Sequence, residues 1–600
     1  MHAILLAAGR GSRMGAHAET VHKSLLRIGA ETLIARMIDA LDVCGVDAIT
    51  IVTGHEAGRI REHLTDRYPG RQFKFVHNPY YATTNNIVSL HMAFETLPSG
   101  EDVLIVEGDL ICDRLVLERV LANPSPNIAL VSPYQRGMDG TLAGLRGDTI
   151  ERLVLSHQQT DGFKPDGAYK TVNIYKLGAE FCDLHYRPRL AAAVSAGSRN
   201  DYYEAVLSEM LLEPALHGAL RAEVADPGSW SEIDNPHDLE IARFRFEPDN
   251  RRAQLDKAFG GLWNFPVADY CYPKNARFPD AQALDELQEH LQALITNYGS
   301  AQHVLDRKMA DFMGCLPRFT VALNGLSQVY PFLRNRFINA RVLLPTPSFG
   351  EYARMFPDAD TYDDEVGIDV EALQKRLANF DVVVIVNPNN PTGSWIPTMA
   401  ISGWVHEYPR QTFIVDESFA AFACAPGLLQ TYAELPENVI VLNSHGKSLG
   451  VPGVRLGMAY SSSSDFIKAL RAELPIWNMN AVAEAMLEMA LRRRADINRT
   501  FQQVRIDRDA MAESLKRNPA VENVWPSEGN FLLVRLHLPK ERLGAFLDHL
   551  LQHHGFYVKD ISAKFRQPGA WVRLSVGLPE QNERLLEAMT NALQALSRTS

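Results

Sequence analysis

The chain has 600 residues, 46% of them hydrophobic and 22% charged, which is enough for at least two domains with separate cores. Its formal net charge of -12 excludes a nucleic-acid scaffold, because no basic excess neutralises a phosphodiester backbone, although a nucleotide site needs only a few basic residues. The six cysteines form no C-x-x-C pair, and we find neither a signal peptide nor an apolar run of ~20 residues, so we expect a cytoplasmic protein with reduced thiols and no membrane contact.

Residues 1–245 alternate short apolar runs with amphipathic stretches. Buried strands are predicted at HAILLAAG, DAITIVTG, FKFVHN, DVLIVEGD and IALVSP, and helices at ETLIARMIDALDVCG and NNIVSLHMAFETL. This alternation predicts an α/β domain with a mostly parallel sheet.

A charged stretch rich in Pro, Asp, Asn and Gly follows, and we predict a linker at residues 246–262. Residues 263–600 then repeat the α/β pattern, with strands predicted at FTVALNG, ARVLLP, DVVVIVNPNNPTG, TFIVDESF and VIVLNSHGK and a late pair at NFLLVRL and WVRLSVG. The two parts share no motif, which indicates a fusion of two different α/β domains.

The first domain opens on a glycine-rich turn after a buried strand, LLAAGRGSRMG. Gly9 and Gly11 allow backbone N–H groups to approach phosphate oxygens, and Arg13 adds positive charge. The spacing differs from the P-loop and from the dinucleotide fingerprint, so the turn alone is weak evidence. Lys23 in HKSLLRIG, Asp109 at the end of DVLIVEGD and Asp234 in WSEIDNPHDL strengthen it. Either aspartate alone would more often cap a strand end.

Together these motifs resemble the sugar-phosphate nucleotidyltransferase superfamily over about 240 residues. His22 stands where that superfamily usually has proline before the lysine. Within it, the stretches NPYYATTNNIVSLHMA, MDGT, YKTVNIYKLG and YYEAVL are similar to the phosphocholine-type cytidylyltransferases.

The resemblance implies transfer of CMP: a phosphate or phosphonate oxygen of the acceptor attacks the α-phosphorus of CTP, and pyrophosphate leaves. It implies Lys23 and Arg13 as catalytic groups that clamp the triphosphate, and Asp109 and Asp234 as Mg²⁺ ligands, which suits a hard cation. The full set of nucleotide-binding residues that we predict is Leu6, Ala8, Gly9, Gly11, Arg13, Lys23, Asn85, Asn86 and Asp109.

Two details of this site stay open. Asn85 and Asn86 either read the edges of cytosine or cap a helix, since both uses suit asparagine after two threonines. Asn173, together with Lys170, is a weaker candidate for contact with the acceptor.

The second domain contains NSHGKSLGVPGVRLG, in which Lys447 precedes Arg455 by eight residues. Ser327 lies in NGLSQV at a predicted helix start, which suits a phosphate. Asn390 lies in NPNNPTG and Asp416 ends a strand in VDESF. A pyridine cofactor that carries an aldehyde, a phenolate and a phosphate would need such groups. Its ring nitrogen needs a carboxylate partner, its phenolate needs a hydrogen-bond donor, its aldehyde needs an amine, and its phosphate needs cations and hydroxyls.

These motifs and their order resemble the fold type I pyridoxal-phosphate (PLP) enzymes of the aminotransferase class I/II group over about 340 residues. The resemblance implies a homodimer, Lys447 as the lysine that attaches the cofactor and acts as base, Arg573 of WVRLSVG as ligand of a substrate α-carboxylate, and Tyr352 beside the substrate. The cofactor-binding residues it implies are Gly325, Leu326, Ser327, Phe349, Asn390, Asp416, Ser444, Lys447 and Arg455.

Two positions depart from that group. Phe419 stands where many relatives have a tyrosine that donates to the cofactor phenolate, and Ser444-His445-Gly446-Lys447 lacks the hydroxyl residue that usually precedes the lysine. We expect these changes to alter the reaction and not the cofactor.

The two-domain plan resembles bifunctional enzymes of phosphonate biosynthesis. Our first expectation is a transaminase that makes an aminoalkylphosphonate such as 2-aminoethylphosphonate, with an amino acid or 2-oxo acid as co-substrate, followed by CMP transfer. The alternative is decarboxylation of 2-amino-4-phosphonobutyrate with CMP transfer, giving CMP-3-aminopropylphosphonate as in fosmidomycin-type antibiotic pathways. A third reading is a phosphocholine or phosphoethanolamine cytidylyltransferase with a non-catalytic second domain.

Overall fold

The computed structural model describes residues 1–17, 21–135, 137–160, 163, 165–432 and 434–598. It divides into two compact units, Met1–Phe265 and Pro266–Ser600. No helix within the described residues is long and apolar enough to cross a membrane.

The first unit is built on a nine-stranded mixed sheet in the order β5-β4-β1-β6-β11-β8-β12-β10-β9. The strands of this unit are β1 His2–Ala7, β2 Arg27–Ile28, β3 Glu31–Thr32, β4 Ala48–Thr53, β5 Lys74–His77, β6 Val103–Glu107, β7 Leu110–Cys112, β8 Ile128–Pro133, β9 Leu142–Arg146, β10 Thr149–Val154, β11 Tyr169–Leu177, β12 Arg221–Val224 and β13 Trp230–Glu232. Strands β5, β4, β1 and β6 are parallel neighbours, as the alternating pattern predicts, whereas β11 runs antiparallel to β6 and β8.

Strand β1 is buried on both faces, as its continuous apolar run predicts, because helices cover both faces of this sheet. The helices are α1 Leu33–Val43, α2 Ala57–Arg67, α3 Asn86–Glu95, α4 Arg114–Ala122, α5 Ala179–Phe181, α6 Arg187–Ser195, α7 Glu204–Leu211, α8 Pro236–Phe246 and α9 Arg251–Ala258. Side-chain caps begin several of them: Thr32 accepts from the N–H of Ala35, and Asn235 forms a capping box with Asp238 at α8.

Strand order explains how the first site is assembled. β1 and β6 are parallel partners, with Leu6 opposite Glu107, so the glycine-rich turn after β1 and Asp109 after β6 emerge at one edge of the sheet. The short pair β7–β13 places Glu232 opposite Leu110 and so brings Asp234 to the same edge.

The second unit is built on a seven-stranded sheet, β15-β21-β20-β19-β18-β16-β17, and a four-stranded antiparallel sheet, β22-β23-β26-β25. Its strands are β14 Ala268–Asp269, β15 Thr320–Leu323, β16 Val342–Thr346, β17 Asp360–Asp363, β18 Val382–Val386, β19 Thr412–Asp416, β20 Val439–Asn443, β21 Gly457–Tyr460, β22 Val521–Val524, β23 Phe531–Leu536, β24 Phe556–Tyr557, β25 Lys559–Asp560 and β26 Ala570–Ser575. Only β21 runs antiparallel to its neighbours in the larger sheet.

The helices of the second unit are α10 Ala281–Thr296, α11 Gln302–Met313, α12 Tyr330–Arg336, α13 Gly350–Met355, α14 Val370–Gln374, α15 Thr398–Glu407, α16 Leu428–Thr431, α17 His445–Ser448, α18 Ser464–Ala472, α19 Ala481–Arg492, α20 Arg494–Lys516, α21 Lys540–His554 and α22 Pro579–Arg598. Parallel strands β18, β19 and β20 end next to one another, which gathers the NPNNPTG segment, Asp416 and the Lys447 turn at one edge. The strands and helices predicted in both domains are present, so the predicted α/β fold class is confirmed.

The segment that we predicted as a linker, residues 246–262, contains helix α9 in the structure. Phe265, just beyond it, packs its ring on Phe244 of α8 at 4.5 Å between centroids, which keeps the segment with the first unit.

Candidate active sites

A cavity of about 490 Å³ opens at the edge of the first sheet where β1 and β6 end. Every residue predicted to bind the nucleotide lines it, from Leu6 in β1 to Asp109 after β6, and Asp234, Lys170 and Asn173 line it as well. The structure therefore brings the whole predicted set together, over more than 200 residues of sequence.

Lys23 lies at the centre of a charged group in this cavity. Its Nζ donates to Asp109 Oδ2 at 2.6 Å and to Asp234 Oδ1 at 2.5 Å, and Arg13 bridges Asp234 and Asp139, each at 2.8 Å. Burial works against the charged ammonium, but the two aspartates outweigh it and hold the pKa of Lys23 above its usual value. Lys23 is thus a permanent cation at the place where a triphosphate would enter.

The same group suits a divalent cation. Ligand atoms of Asp109, Glu232 and Asp234 lie within 4.8 Å of one another, and Asp109 Oδ1 is buried without a hydrogen-bond partner among the described residues. Carboxylate oxygens are the donors that Mg²⁺ prefers. The sequence analysis did not assign Glu232 as a ligand. The signal was its place two residues before Asp234, since alternate residues of a strand point to the same face.

His22 explains the departure from proline before Lys23. The N–H of Ser24 donates to His22 Nδ1 at 3.1 Å, so Nε2 carries the proton and donates to the carbonyl of Gly9, also at 3.1 Å. Burial lowers the pKa of His22 to about 4, which keeps the ring neutral at pH 7. The imidazole therefore ties the glycine-rich turn to the segment that carries Lys23.

The two asparagines after the threonine pair differ in their use. Asn85 is the N-cap residue of α3, whereas the amide of Asn86 is engaged at both ends, donating to Glu107 Oε1 at 2.9 Å and accepting from the N–H of Tyr203 at 3.1 Å. Asn86 lines the cavity and keeps one N–H and one oxygen lone pair for a base.

Carboxylates outnumber bases in the cavity. Among the described residues six carboxylates and three basic side chains line it. Glu232 accepts from Asn173 at 3.2 Å and pairs with Lys170 at 3.4 Å, and burial raises its pKa to about 7. Burial also raises the pKa of Glu107 well above its usual value, with Asp109 contributing. This crowding suits a ligand that brings its own positive charge.

In the second unit, Lys447 lies in the short helix α17 at the end of β20. No hydrogen bond or ion pair of its Nζ is seen within the described residues. Burial, helped by the nearby Arg573 and Arg455, lowers the pKa of Lys447 to about 8. About a tenth of the amine is thus neutral at pH 7, far more than for a lysine with the ordinary pKa, which favours its action as a nucleophile.

Asp416 and Tyr352 form a buried pair. Asp416 is 4% exposed and accepts from the Tyr352 hydroxyl at 2.7 Å and from the N–H of Ser418 at 3.0 Å. We predicted that Tyr352 lies beside the substrate, but its hydroxyl is committed to Asp416, so it orients that carboxylate. Phe349 is part-exposed, with its ring 6.3 Å from that of Tyr352.

A phosphate seat is preformed beside Lys447. The Arg455 guanidinium donates to Ser327 Oγ at 3.0 Å and lies against Gly325, where an added Cβ would come within about 2.5 Å of it. Gly325 also has φ of 79°, so both its backbone and its missing side chain permit this approach. The N–H of Ser444 donates to Ser418 Oγ at 3.0 Å, which places Ser444 at the same strand edge.

Arg573 of β26 reaches the larger sheet and is 8% exposed. It donates to Asn390 Oδ1 and to the carbonyl of Cys271, while its Nε is buried without a partner, and no carboxylate pairs with it among the described residues. Because Asn390 Oδ1 accepts from Arg573, its Nδ2 is the end left to donate. Phe419 packs edge-on against Phe531 at 5.0 Å, an apolar contact in place of the missing tyrosine hydroxyl.

These residues fit pyridoxal phosphate. The aldehyde requires an amine, and Lys447 supplies one with a lowered pKa. The ring nitrogen, the phenolate and the phosphate require a buried carboxylate, an amide donor and an arginine–serine pair, and all three are present. The unpartnered Nε of buried Arg573 fits a substrate carboxylate, because buried charges are otherwise paired.

Two further lysines lie near Arg573, and the sequence analysis did not single them out. Lys559 is the cross-strand partner of Arg573, so the two side chains share one face of the sheet. Lys564 donates to the carbonyl of Ser348, next to Phe349, at 2.5 Å. The contact joins residues 216 positions apart and leaves no pattern in the sequence.

Comparison with known proteins agrees with the two predicted domains. Residues 3–222 match the MobA-like NTP transferase domain, and residues 261–589 match the aminotransferase class I and II family. The chain is 30% identical to the CMP-5'-(3-aminopropyl)phosphonate synthase of Streptomyces rubellomurinus, over 98% of this chain and 94% of that one. The chain belongs to the family of this synthase.

Other similarities cover only the second domain. The L-serine phosphate decarboxylase of Sulfurospirillum multivorans is 27% identical over 54% of this chain and 88% of its own. The structure of L-threonine-O-3-phosphate decarboxylase from Porphyromonas gingivalis is 21% identical, with a TM-score of 0.50, and covers 55% of this chain and all of its own; this likeness shows the fold.

Membership of the synthase family confirms the predicted fusion. The protein is an enzyme with an N-terminal nucleotidyltransferase domain and a C-terminal PLP-dependent domain of fold type I.

Proposed function

We propose that the first domain transfers CMP from CTP to an aminoalkylphosphonate, and that the second domain decarboxylates 2-amino-4-phosphonobutyrate, the precursor of 3-aminopropylphosphonate. The observation that carries this proposal is the distribution of charge. The first cavity is crowded with carboxylates, which suits an acceptor with an ammonium group. The second holds the buried Arg573, whose Nε has no partner among the described residues, and places Lys559 on the same face of the sheet, which suits an amino acid with two anionic groups.

In the first domain, Lys23 and Arg13 hold the triphosphate and compensate the charge that develops on leaving pyrophosphate. Phosphonate oxygens are already ionised near pH 7, so alignment and charge compensation are sufficient and no general base is needed. Asp109 and Asp234 would hold Mg²⁺, which neutralises phosphate charge when bound, and would leave Glu232 for the acceptor. The glycine-rich turn, fixed by His22, lets backbone N–H groups approach the phosphates.

We assign the acceptor's ammonium group to Glu107 and Glu232. Both carboxylates have raised pKa values because they are buried near other acids, so a cation placed between them relieves their repulsion. Asn173 and Lys170, which contact Glu232, hold it in position.

In the second domain, pyridoxal phosphate when bound supplies the electron sink for the bond that breaks at Cα. Asp416, oriented by Tyr352, keeps the ring nitrogen protonated, and Ser327 with Arg455 holds the phosphate. Arg573 takes the α-carboxylate, and Lys559 and Lys564 take the phosphonate. Lys447 then delivers to Cα the proton that replaces the lost carboxylate.

Decarboxylation is preferred over our first expectation, transamination, because of the full-length relative. The name of this relative gives a CMP ester of 3-aminopropylphosphonate as the product. The compound 3-aminopropylphosphonate is 2-amino-4-phosphonobutyrate without its carboxylate. Transamination stays as a second candidate, because the family matched by residues 261–589 is one of aminotransferases. A non-catalytic second domain is disfavoured by the complete set of cofactor-binding groups.

Mass spectrometry of products from the purified PLP-loaded enzyme tests the proposal. With CTP, Mg²⁺ and 2-amino-4-phosphonobutyrate we expect loss of CO₂ and a CMP ester of 3-aminopropylphosphonate. Amination of phosphonoacetaldehyde by an amino donor, without CO₂ release from the first substrate, would establish the transaminase instead. Transfer of CMP to phosphocholine alone would refute the phosphonate assignment.

We also propose that the second domain forms a homodimer. Helix α10 exposes Leu284, Leu291 and Ile295, and the exposed ring of Tyr298 stacks on Trp477 at 4.1 Å. A contiguous apolar surface of this kind is typical of subunit interfaces. Light scattering of the wild type and of a Leu291→Glu, Ile295→Glu variant is the test, with a mass of one chain for the wild type as the contradicting result.

A further inference from the structure

A second cavity of the PLP domain, about 520 Å³ in volume, adjoins the turn that carries Lys447. It is lined by His445 and Ser448 of α17, but by none of the residues that we assign to the cofactor. His445 thus lines this cavity, whereas Lys447 of the same short helix does not. This cavity has no role in either proposed reaction.

One wall of the cavity is a single face of α20. Arg494, Ile497, Asn498, Phe501 and Arg505 line it at spacings of three and four residues, which is the repeat of one helical face. The opposite wall is the segment after β19, where four alanines leave the space open: Ala420, Ala421, Ala423 and Ala425.

The floor holds two buried polar side chains that lack partners. Asn443 is 7% exposed and His445 is 2% exposed, and Asn443 Oδ1 and His445 Nε2 make no hydrogen bond among the described residues. Asn443 Nδ2 donates to the carbonyl of Glu417 at 3.1 Å, which fixes the amide. Buried polar atoms without partners are rare because they are costly, and both of these atoms belong to residues that line the cavity.

The floor is neutral and can both donate and accept. Burial lowers the pKa of His445 to about 3, so its ring carries one N–H and one free acceptor at pH 7. Asn443 Oδ1 is an acceptor that needs a donor from a ligand. A planar group with an amino or imino N–H next to a ring nitrogen or carbonyl would satisfy both atoms.

Aromatic and basic groups complete the lining. Phe312, whose ring is perpendicular to that of His445 at 5.3 Å, and Phe501 supply faces for a flat ring. Arg494 and Arg505 supply positive charge on the helical wall, and Glu417 is the only carboxylate among the described residues of the lining. The volume is many times the ~30 Å³ of one water molecule.

We propose that this cavity binds a nucleoside phosphate, with the base against Asn443 and His445 and the phosphate at Arg494 and Arg505. A heterocyclic base combines a flat ring with adjacent donors and acceptors, and its phosphate matches the two arginines. CMP is the first probe, because the other domain of the same chain consumes CTP; this choice, and not the site itself, rests on the proposed function. Occupancy would change the surroundings of Lys447, two residues from His445.

Equilibrium dialysis of the PLP-loaded full chain with labelled CMP, and in parallel with labelled AMP, tests the site. The background carries Lys23→Ala and Asp234→Ala, so that nucleotide binding by the first domain is removed. We expect about one nucleotide bound per chain in this background, and at least a tenfold weaker affinity after Arg494→Gln with Arg505→Gln. Arg499→Gln, an exposed arginine of α20 outside the lining, is the matched control and should change nothing.

Filling the cavity by Ala421→Trp gives an independent test, with retained cofactor absorbance as evidence of folding. In a chain with an intact first domain, CMP should shift the visible absorbance of the bound cofactor, and the tryptophan should abolish the shift. Binding of AMP but not CMP would keep the site and reject only the cytidine assignment. Absence of binding of either nucleotide in the background, or binding that ignores the arginine pair and the tryptophan, would mean that the cavity holds only water and overturn the proposal.

Discussion

The two domains place their sites at the same kind of sheet edge but fill them with opposite charge. In the first domain, Asp109, Glu232 and Asp234 crowd around one lysine. In the second, Lys447, Arg455 and Arg573 lie together, and Asp416 is bound to a tyrosine. On the function that we propose, the first site would need a cation supplied with its nucleotide, whereas the second would hold each anion by a basic side chain of its own.

The largest expected effect separates the two chemistries. Lys447→Ala should lower turnover of the amino acid substrate by about 1,000-fold or more, since it removes the base and the cofactor attachment together. Carbon dioxide release is the measurement. CMP transfer to 3-aminopropylphosphonate in the same preparation is the control and should stay at the wild-type rate; an equal loss there would mean that the domains do not work independently.

Asp234→Ala should impair CMP transfer by the first domain. Loss of this carboxylate removes a metal ligand and a partner of both Lys23 and Arg13, so we expect CMP transfer to fall by about 100- to 1,000-fold. Pyrophosphate release over a Mg²⁺ titration is the measurement, and CO₂ release should not change. A variant that regains full rate at high Mg²⁺ would show that Asp234 affects affinity for the metal alone.

A smaller effect tests whether Lys564 of the second site binds the phosphonate group of the substrate. Lys564→Gln should raise KM for 2-amino-4-phosphonobutyrate about tenfold, in line with loss of one charge-assisted hydrogen bond, and leave kcat nearly unchanged. Lys540→Gln, at the exposed first residue of helix α21, is the matched control. If turnover of 2-aminobutyrate, which lacks the phosphonate, falls by the same factor, Lys564 does not contact that group.

The sequence was sufficient to predict what depends on local pattern. Apolar runs predicted the strands. Asp109 in the first domain and Asp416 in the second each lie near the other site residues of their own domain, because parallel strands end at a common edge. What it missed depends on contacts across long separations. Lys564 meets Ser348 only after a second sheet has folded, and Tyr352 faces Asp416 only through the packing of α13.

His445 shows the same limit in a single residue. In the sequence, Ser444-His445-Gly446-Lys447 departs from the related enzymes next to the cofactor lysine, from which we expected an altered reaction. In the structure the ring of His445 faces the second cavity, away from the groups that surround Lys447. A spacing in sequence identifies a turn, but the side to which each of its side chains points is decided by tertiary packing.

The smallest expected effect concerns how Lys447 is tuned. Its folded pKa of about 8 lies below the ordinary lysine value, so the neutral amine that combines with the cofactor aldehyde increases as pH rises through about 8. We expect the rate at which apoenzyme takes up pyridoxal phosphate to rise up to tenfold per pH unit below 8 and to level off above it. Burial is the main cause of the lowered pKa, and Arg573 contributes next. Arg573→Gln should therefore move the midpoint upward and slow uptake a few-fold at pH 7, with no change at pH 9.5. A midpoint that stays at 8 in this variant would assign the shift to burial alone, and a midpoint near 10 in the wild type would remove the contrast between the two sites.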